Sequence, residues 1–227
     1  MIGDPKGIAF TEIKTILYKD AYKIRKYPRD SFDVIVDVGA NIGYFSMTAR
    51  ILQPMAKIIA LEPCIETFEY LASNMAGLNV ECVQEALGKD SPLYFREMVD
   101  CRVNRFIEKD ELGEEGYEVN SISLSTLFKR YDINPKEQKV YLKLDCEGGE
   151  RFLINPEDEA LLKDIEHIGF ELHFQGEDGI HHLTMLPWKT YFEWINRLFS
   201  ETHNIEYSLS RKKNGYGTFN IIKKETD

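Results

Sequence analysis

Residues 34–43 read Val-Ile-Val-Asp-Val-Gly-Ala-Asn-Ile-Gly, and this stretch limits the architecture more than any other part of the chain. Apolar, mostly β-branched residues on consecutive positions suit a strand buried on both faces, as inside a parallel sheet. The glycines mark a tight turn, and Gly43 to Leu52 has the pattern of a helix. Strand, glycine turn and helix together open a βαβ unit, whose crossovers keep successive strands parallel.

The pattern repeats. Lys57 to Leu61 reads as a second buried strand, Cys64 to Met75 as its helix, closed near Gly77, and Asn79 to Val83 as a third strand ending at Gln84 and Glu85. Lys139 to Leu144 and Ile165 to Leu172 are further strands, with a helix from about Gly149 to Ile154 between them. The acidic stretch Ser91 to Asn120 is less regular, with Gly113 and Gly116 near an expected loop tip. Asn120 to Leu124 reads as a short strand, with Ser125 expected to cap a helix running to Tyr131. Trp188, Tyr191, Phe192, Ile195, Leu198 and Phe199 form one helical stripe after Pro187, a core face rather than a cofactor box.

Two last strands, Ile205 to Leu209 and Thr218 to Ile222, are joined by residues 211–217. So short a connection requires them to be antiparallel. The expected fold class is therefore α/β: a mostly parallel doubly wound sheet closed by a C-terminal antiparallel hairpin, Rossmann-like, in one domain over 1–227. Phe10, Ile13, Ile16, Leu17 and Ile24 predict an amphipathic helix over 10–26, within an N-terminal helical extension of about 1–30 punctuated by Pro28 and Asp30.

Composition bounds the partners. With 43% hydrophobic and 29% charged residues in 227, the chain is an ordinary soluble protein, without an apolar run long enough to span a bilayer. Met1 to Phe10 shows no secretory pattern, so a cytoplasmic location is expected. Cys64, Cys82, Cys101 and Cys146 are scattered and read as reduced thiols. A net charge of −10 disfavours nucleic acid, whose phosphates call for Lys and Arg. The Arg211-Lys212-Lys213 cluster reads as a solvated turn.

The turn Asp37-Val-Gly39-Ala-Asn41-Ile-Gly43 sits where open α/β sheets gather ligands, at the carboxyl ends of the strands near the switch in strand order. Gly39 and Gly43 allow a close approach. Glu62, after the second strand, can accept two ribose hydroxyls, as it would for a nicotinamide dinucleotide too. A dinucleotide fingerprint, however, needs a middle glycine where Asn41 stands. Asp37, Glu62 and Glu85 make an acidic mouth that favours a sulfonium cation over a pyrophosphate. The expected cofactor is S-adenosylmethionine, held by Asp37, Gly39, Asn41, Gly43, Glu62 and Glu85. Glu85 would take the adenine amino group, with an exposed loop acid as the plainer alternative.

The segments Val36-Asp37-Val38-Gly39-Ala40-Asn41-Ile42-Gly43, Leu61-Glu62-Pro63, Ala86-Leu87-Gly88, Leu142-Lys143-Leu144-Asp145-Cys146-Glu147-Gly148-Gly149-Glu150 and Phe170-Glu171-Leu172-His173 follow one another as they do in the FkbM methyltransferases, which this chain resembles across most of 34–173. Gly149 stands where that family more commonly has Ala. The resemblance implies methyl transfer, usually to a hydroxyl of a sugar, glycan or secondary metabolite.

A hydroxyl must lose its proton to accept a methyl, which calls for a base or a metal ion. Asp145 and Glu147 share one side of a strand end if the chain stays extended, and Glu171 and His173 share one side of the next. His173 is the preferred base because it needs the smallest pKa adjustment, with Glu171 or Asp145 orienting it or the substrate. Asp145 could equally serve a structural role or hold the cofactor ammonium. Glu150 is assigned to a helix first turn. No diagnostic metal-ligand spacing is present, so no metal ligand is assigned, although such a cluster suits Mg²⁺ or Mn²⁺. His181 and His182 fall in a loop, 175–187, expected to overhang the same edge. Tyr44 lines the cofactor pocket or packs on the sheet.

The leading expectation is an O-methyltransferase acting on a small-molecule or glycan hydroxyl. An N-, protein- or RNA-directed methyltransferase on the same fold is the alternative, although no Asn- or Asp-Pro-Pro-aromatic motif is present. A non-catalytic S-adenosylmethionine-binding module is the third reading, and an NAD-dependent oxidoreductase the least supported.

Overall fold

The computed structural model describes residues 14, 16, 19–96, 105–107, 116–174, 186–210 and 215–225. In chain order the strands of its main sheet are β1 (Val34–Val38), β2 (Lys57–Leu61), β3 (Val80–Val83), β9 (Val140–Leu144), β10 (His167–His173), β11 (His203–Ser210) and β12 (Tyr216–Lys223). Among the described residues, five short strands lie between β3 and β9: β4 (Ala86–Leu87), β5 (Leu93–Arg96), β6 (Arg105–Ile107), β7 (Gly116–Val119) and β8 (Ser121–Ile122). The α-helices are α1 (Tyr44–Leu52), α2 (Ile65–Met75), α3 (Leu124–Arg130), α4 (Pro156–Leu162) and α5 (Trp188–Phe199).

The main sheet runs β11-β12-β10-β9-β1-β2-β3. β1 pairs in parallel with both β2 and β9, β2 with β3, and β9 with β10. β12 runs antiparallel between β10 and β11. The chain thus winds outward from β1 in one direction, then returns to build the other half from β9. The switch point lies between β1 and β9, directly beyond Val38 and Leu144, which are register partners.

Alternation along these strands feeds two cores. Val34, Val36 and Val38 join Leu142, Leu144, Phe170 and the apolar faces of α3 and α5, while Ile35, Ile58 and Tyr141 pack with Phe45, Ala49, Tyr22 and Phe32. Central strands buried on both faces explain the continuous apolar runs of the sequence.

Several expectations change. The helix expected over 10–26 does not continue to its end: residues 19–23 turn, with left-handed backbone at Asp20 and Lys23, and only Ile24–Lys26 form a single 3-10 turn. That segment docks on the sheet instead. Helix α3 is capped by Ser123, whose side chain accepts the Thr126 N–H, and not by Ser125. The irregular stretch after β3 contains a three-stranded antiparallel sheet, β6-β5-β7, and a parallel pair, β4-β8. Gly116 opens β7, and Gly113, Cys101, His181, His182, Arg211, Lys212 and Lys213 lie outside the described residues. Helix α4 was not expected. Asn155 caps it by accepting the Glu157 and Asp158 N–H groups, and Pro156 stands in its first turn. No helix among the described residues is long and apolar enough to cross a membrane.

Candidate active site

The glycine turn between β1 and α1 is fastened from inside. The N–H groups of Gly39 and Ala40 both donate to the Leu61 carbonyl, at 3.0 and 2.8 Å, and that of Gly43 donates to Ala40 at 2.9 Å. Asn41 takes left-handed backbone, its N–H donates to Oε2 of Glu62 at 3.0 Å, and its own Oδ1 accepts the Ile42 N–H at 2.8 Å. Every backbone N–H from 39 to 43 therefore has a partner within the protein. A pyrophosphate loop works by presenting such groups to the ligand. This turn does not, and its chemistry suits a cofactor without phosphate.

Gly39 has φ +71°, and a Cβ there would lie 1.7 Å from the Asp145 carbonyl oxygen. The end of β9 thus lies against the glycine turn, and the Asp145 N–H donates to the Val38 carbonyl at 3.1 Å. A Cβ at Gly43 would meet Leu71 and Met75 of α2.

Asp37 is fully buried in β1. Its Oδ2 accepts the Ser46 hydroxyl at 2.6 Å, and Lys143 Nζ stands 3.1 Å from its Oδ1. Lys143 also donates to the Gly39 carbonyl at 2.6 Å. The Asp37 carboxylate therefore sits beneath the turn, neutralised by a lysine, rather than in the mouth above it.

Glu62 is buried, with Oε1 accepting the Cys64 N–H at 3.0 Å while Oε2 holds Asn41. Burial pushes its carboxyl up to about 7 against the pull of these N–H donors and Lys143. Glu85, two residues past β3, pairs with Arg130 through both terminal nitrogens of the guanidinium.

The parallel pairing of β9 and β10 brings Asp145, Glu171 and His173 to one edge, where one donor atom from each lies within 4.8 Å of the others. The chain after Asp145 does not stay extended, because Glu147 takes φ 50° and Gly148 φ 95°. The turn nevertheless delivers Oε2 of Glu147 to within 3.4 Å of His173 Nε2, with Glu171 Oε1 at 3.9 Å.

Glu150, in a 3-10 turn over Gly149–Leu153, is fully buried. It accepts the Cys146 N–H at 3.2 Å, the Gly148 N–H at 2.9 Å and His173 Nδ1–H at 3.1 Å. The partner that orients His173 is therefore Glu150, which the sequence pattern had assigned to a helix first turn.

Burial opposes charge on His173, but Glu147, Glu150 and Asp145 outweigh it and hold the imidazole well above its ordinary value. Burial, with Asp145, Glu150 and Glu171 adding, pushes Glu147 up to about 8, although 29% of its side chain remains exposed. The cluster retains protons that separate side chains would release at neutral pH. Two residues the sequence did not single out complete it. Lys143 stood inside the quoted motif, whereas Tyr22, whose hydroxyl donates to Asp145 Oδ2 at 2.9 Å, carried no signal.

The chain has relatives among known proteins. Residues 37–215 match the methyltransferase FkbM domain. "Methyltransferase 1" of Beauveria bassiana (strain ARSEF 2860) is 28% identical over 180 residues, which cover 70% of this chain and 71% of that one. "Methyltransferase sdnD" of Sordaria araneosa is 41% identical over 63 residues, 28% of this chain and 24% of that one. A crystal structure from Clostridium thermocellum, named as an rRNA methylase, superposes with a TM-score of 0.54 at 10% identity, covering 93% of this chain and 97% of the other. At that identity the superposition establishes the Rossmann-like methyltransferase fold alone.

Proposed function

The chain belongs to the FkbM family of S-adenosylmethionine-dependent methyltransferases, and from that premise we propose that it methylates a hydroxyl of a sugar, glycan or small metabolite. The observation that carries this reading is the imidazole of His173, fixed through Nδ1 by buried Glu150 and presenting Nε2 among Glu147 and Glu171, beside a cofactor turn against which Asp145 packs.

When bound, the cofactor supplies an electrophilic methyl on a sulfonium. A neutral hydroxyl attacks poorly, and the chain's own task is to orient it and take its proton. As the acceptor oxygen took the methyl, its proton would pass to His173 Nε2. Glu150 keeps the ring in place and favours the imidazolium that results, as a carboxylate does in any His-carboxylate dyad. Glu62, Asn41, Gly39 and Gly43 shape the cofactor turn. The second oxygen lone pairs of Glu62 would accept ribose hydroxyls, Lys143 and Asp37 brace the turn from below, and Glu85, paired with Arg130, would hold the adenine. Asp145 joins the two halves. The −10 net charge counts against an RNA acceptor.

Calorimetry with S-adenosylmethionine and S-adenosylhomocysteine, with NAD as control, followed by a screen of hydroxylated acceptors, tests the reading. Micromolar cofactor binding and transfer to a hydroxyl that fails in His173→Gln are expected. NAD preference, or transfer only to amines or RNA, refutes it.

The donor atoms of Asp145, Glu171 and His173, within 4.8 Å of one another, favour a second reading in which a divalent cation replaces the base. Two carboxylates and one imidazole suit Mg²⁺ or Mn²⁺, and Glu150 would then orient a ligand histidine. Broadening of the Mn²⁺ resonance on titration with protein, lost in Asp145→Asn, would establish it. Turnover unaffected by chelation would leave His173 as the base.

A further inference from the structure

The segment 20–27 precedes the matched family domain, which begins at residue 37, yet it is fastened along the sheet next to the site. Asn220 of β12 donates to the Ala21 carbonyl at 3.0 Å, and the Tyr141 hydroxyl of β9 donates to the Tyr22 carbonyl. Farther along, the Tyr27 hydroxyl meets His167 Nδ1 at 2.7 Å, while His167 Nε2 meets Asn220 Oδ1 at 3.1 Å. Burial pushes His167 down to about 3, so a neutral ring donates to one partner and accepts from the other. Lys23 adds a surface ion pair with Glu206.

The sheet is cut to receive this strap. A Cβ at Gly169 in β10 would lie 3.0 Å from Tyr22 Cβ and 2.8 Å from the Tyr141 hydroxyl. Tyr22 is 3% exposed, and its ring stands edge-on to Phe45 with centroids 5.7 Å apart and has Lys143 Nζ 5.6 Å from its centre. Packed on three sides, the ring has little freedom. Its hydroxyl reaches Asp145 Oδ2 at 2.9 Å, and Asp145 is one of the three residues whose donor atoms converge at the strand ends.

We propose that Tyr22 is a positioning residue for methyl transfer. By holding one oxygen of Asp145 it aims that carboxylate at Glu171 and His173, so that a strap outside the family domain completes the site. The proposal rests on the reading of Asp145 as part of the active site. It assigns the hydroxyl a task separate from that of the ring: the ring seats the strap, and the hydroxyl orients the carboxylate.

Tyr22→Phe separates the two tasks because it keeps the ring and removes only the oxygen. The expected result is a melting temperature and S-adenosylmethionine affinity near wild type, with kcat lower by about tenfold or more, the size of a lost hydrogen bond to a charged group. Asp145→Asn should lower kcat too, and adding Tyr22→Phe to it should change little further, because both act on one carboxylate. Unchanged kcat in Tyr22→Phe, or effects that multiply in the double variant, overturns the proposal. A wild-type protein that methylates no hydroxyl would defeat the functional reading instead. Crystal structures of wild type and Tyr22→Phe then decide the point: an Asp145 carboxylate turned away from Glu171 and His173 in the variant supports it, and one left unmoved overturns it.

Discussion

Replacing Gly39 by alanine tests whether the end of β9 and the cofactor turn form one packed unit. Two costs arise. An L-residue in the left-handed region, here at φ +71°, costs roughly 1–2 kcal/mol. The added Cβ would sit 1.7 Å from the Asp145 carbonyl oxygen, where ordinary contact begins at 3.4 Å. Neither atom belongs to a side chain that can swing aside, so two backbones must part, disturbing the Asp145 N–H bond to Val38. Overpacking adds roughly 1–3 kcal/mol and the weakened bond about 1 kcal/mol more, for a total of about 3–6 kcal/mol. Gly77 supplies the control. Its φ is +79°, but nothing lies within 4 Å of its missing Cβ, so Gly77→Ala bears only the backbone cost of about 1–2 kcal/mol. At roughly 2–4 °C per kcal/mol for a chain of this size, thermal melts should fall by roughly 2–8 °C for Gly77→Ala and roughly 6–24 °C for Gly39→Ala. Calorimetry on any folded fraction should show cofactor affinity lost in Gly39→Ala and kept in Gly77→Ala. Equal melting temperatures for the two variants would refute the packing argument, because both share the backbone cost and differ only in the clash.

Three further outcomes follow from the charges. On the proposed mechanism turnover needs neutral His173, so kcat should rise with pH through a midpoint above 6.5, and Glu150→Gln, which removes a charge that raises the imidazole, should move that midpoint lower; an unmoved midpoint counts against the dyad. Glu62 and Glu147 titrate near 7 and 8 when folded against 4.5 ordinarily, so the folded chain binds protons more tightly and its stability should fall as pH rises from about 5 to 8. His173 acts in the same direction, its contribution present below about 6.5 and lost as pH passes its raised folded value; urea midpoints should show the decline, and Glu147→Gln should flatten it. Lys143→Met leaves Asp37 buried with only Ser46 and should cost about 3–5 kcal/mol in denaturant unfolding, much of it recovered in the double variant with Asp37→Asn.

The sequence disclosed what rests on local pattern. Consecutive apolar residues in β1 and β2 forecast a sheet covered on both faces, and the short connection before Thr218 forecast an antiparallel closure, because both follow from chain geometry. Helix α4 was legible too, since Asn155-Pro156-Glu157-Asp158 is a helix start, with a capping Asn, a first-turn Pro and two acids. The small sheet β6-β5-β7 was not, because strands of three and four residues carry too little periodicity to register. At the site, Asp145, Glu171 and His173 could be grouped once β9 and β10 were taken as neighbours. What stayed hidden depends on turns and distance. Left-handed backbone at Glu147 redirects a side chain that simple alternation would misplace, and Tyr22 meets Asp145 across 123 positions of sequence.

The charge balance at the strand ends bears on the proposed hydroxyl acceptor. Asp145, Glu147, Glu150 and Glu171 surround one imidazole, while the nearby cation Lys143 is held by Asp37. Such a site favours a neighbouring positive charge before the reaction. Methyl transfer to a neutral hydroxyl would remove the positive charge from the bound cofactor. On the proposed mechanism it reappears at once on His173, inside the same ring of carboxylates. The cluster therefore need not reorganise between reactants and products, since one cation replaces another within a fixed field, the condition under which preorganised electrostatics are most effective. A protonated amine could not attack at all, and a neutral amine would keep the transferred charge on the product nitrogen without calling on His173. The elevated proton affinity of that histidine is thus an asset for an acceptor that must give up its proton during attack, as the proposed hydroxyl must.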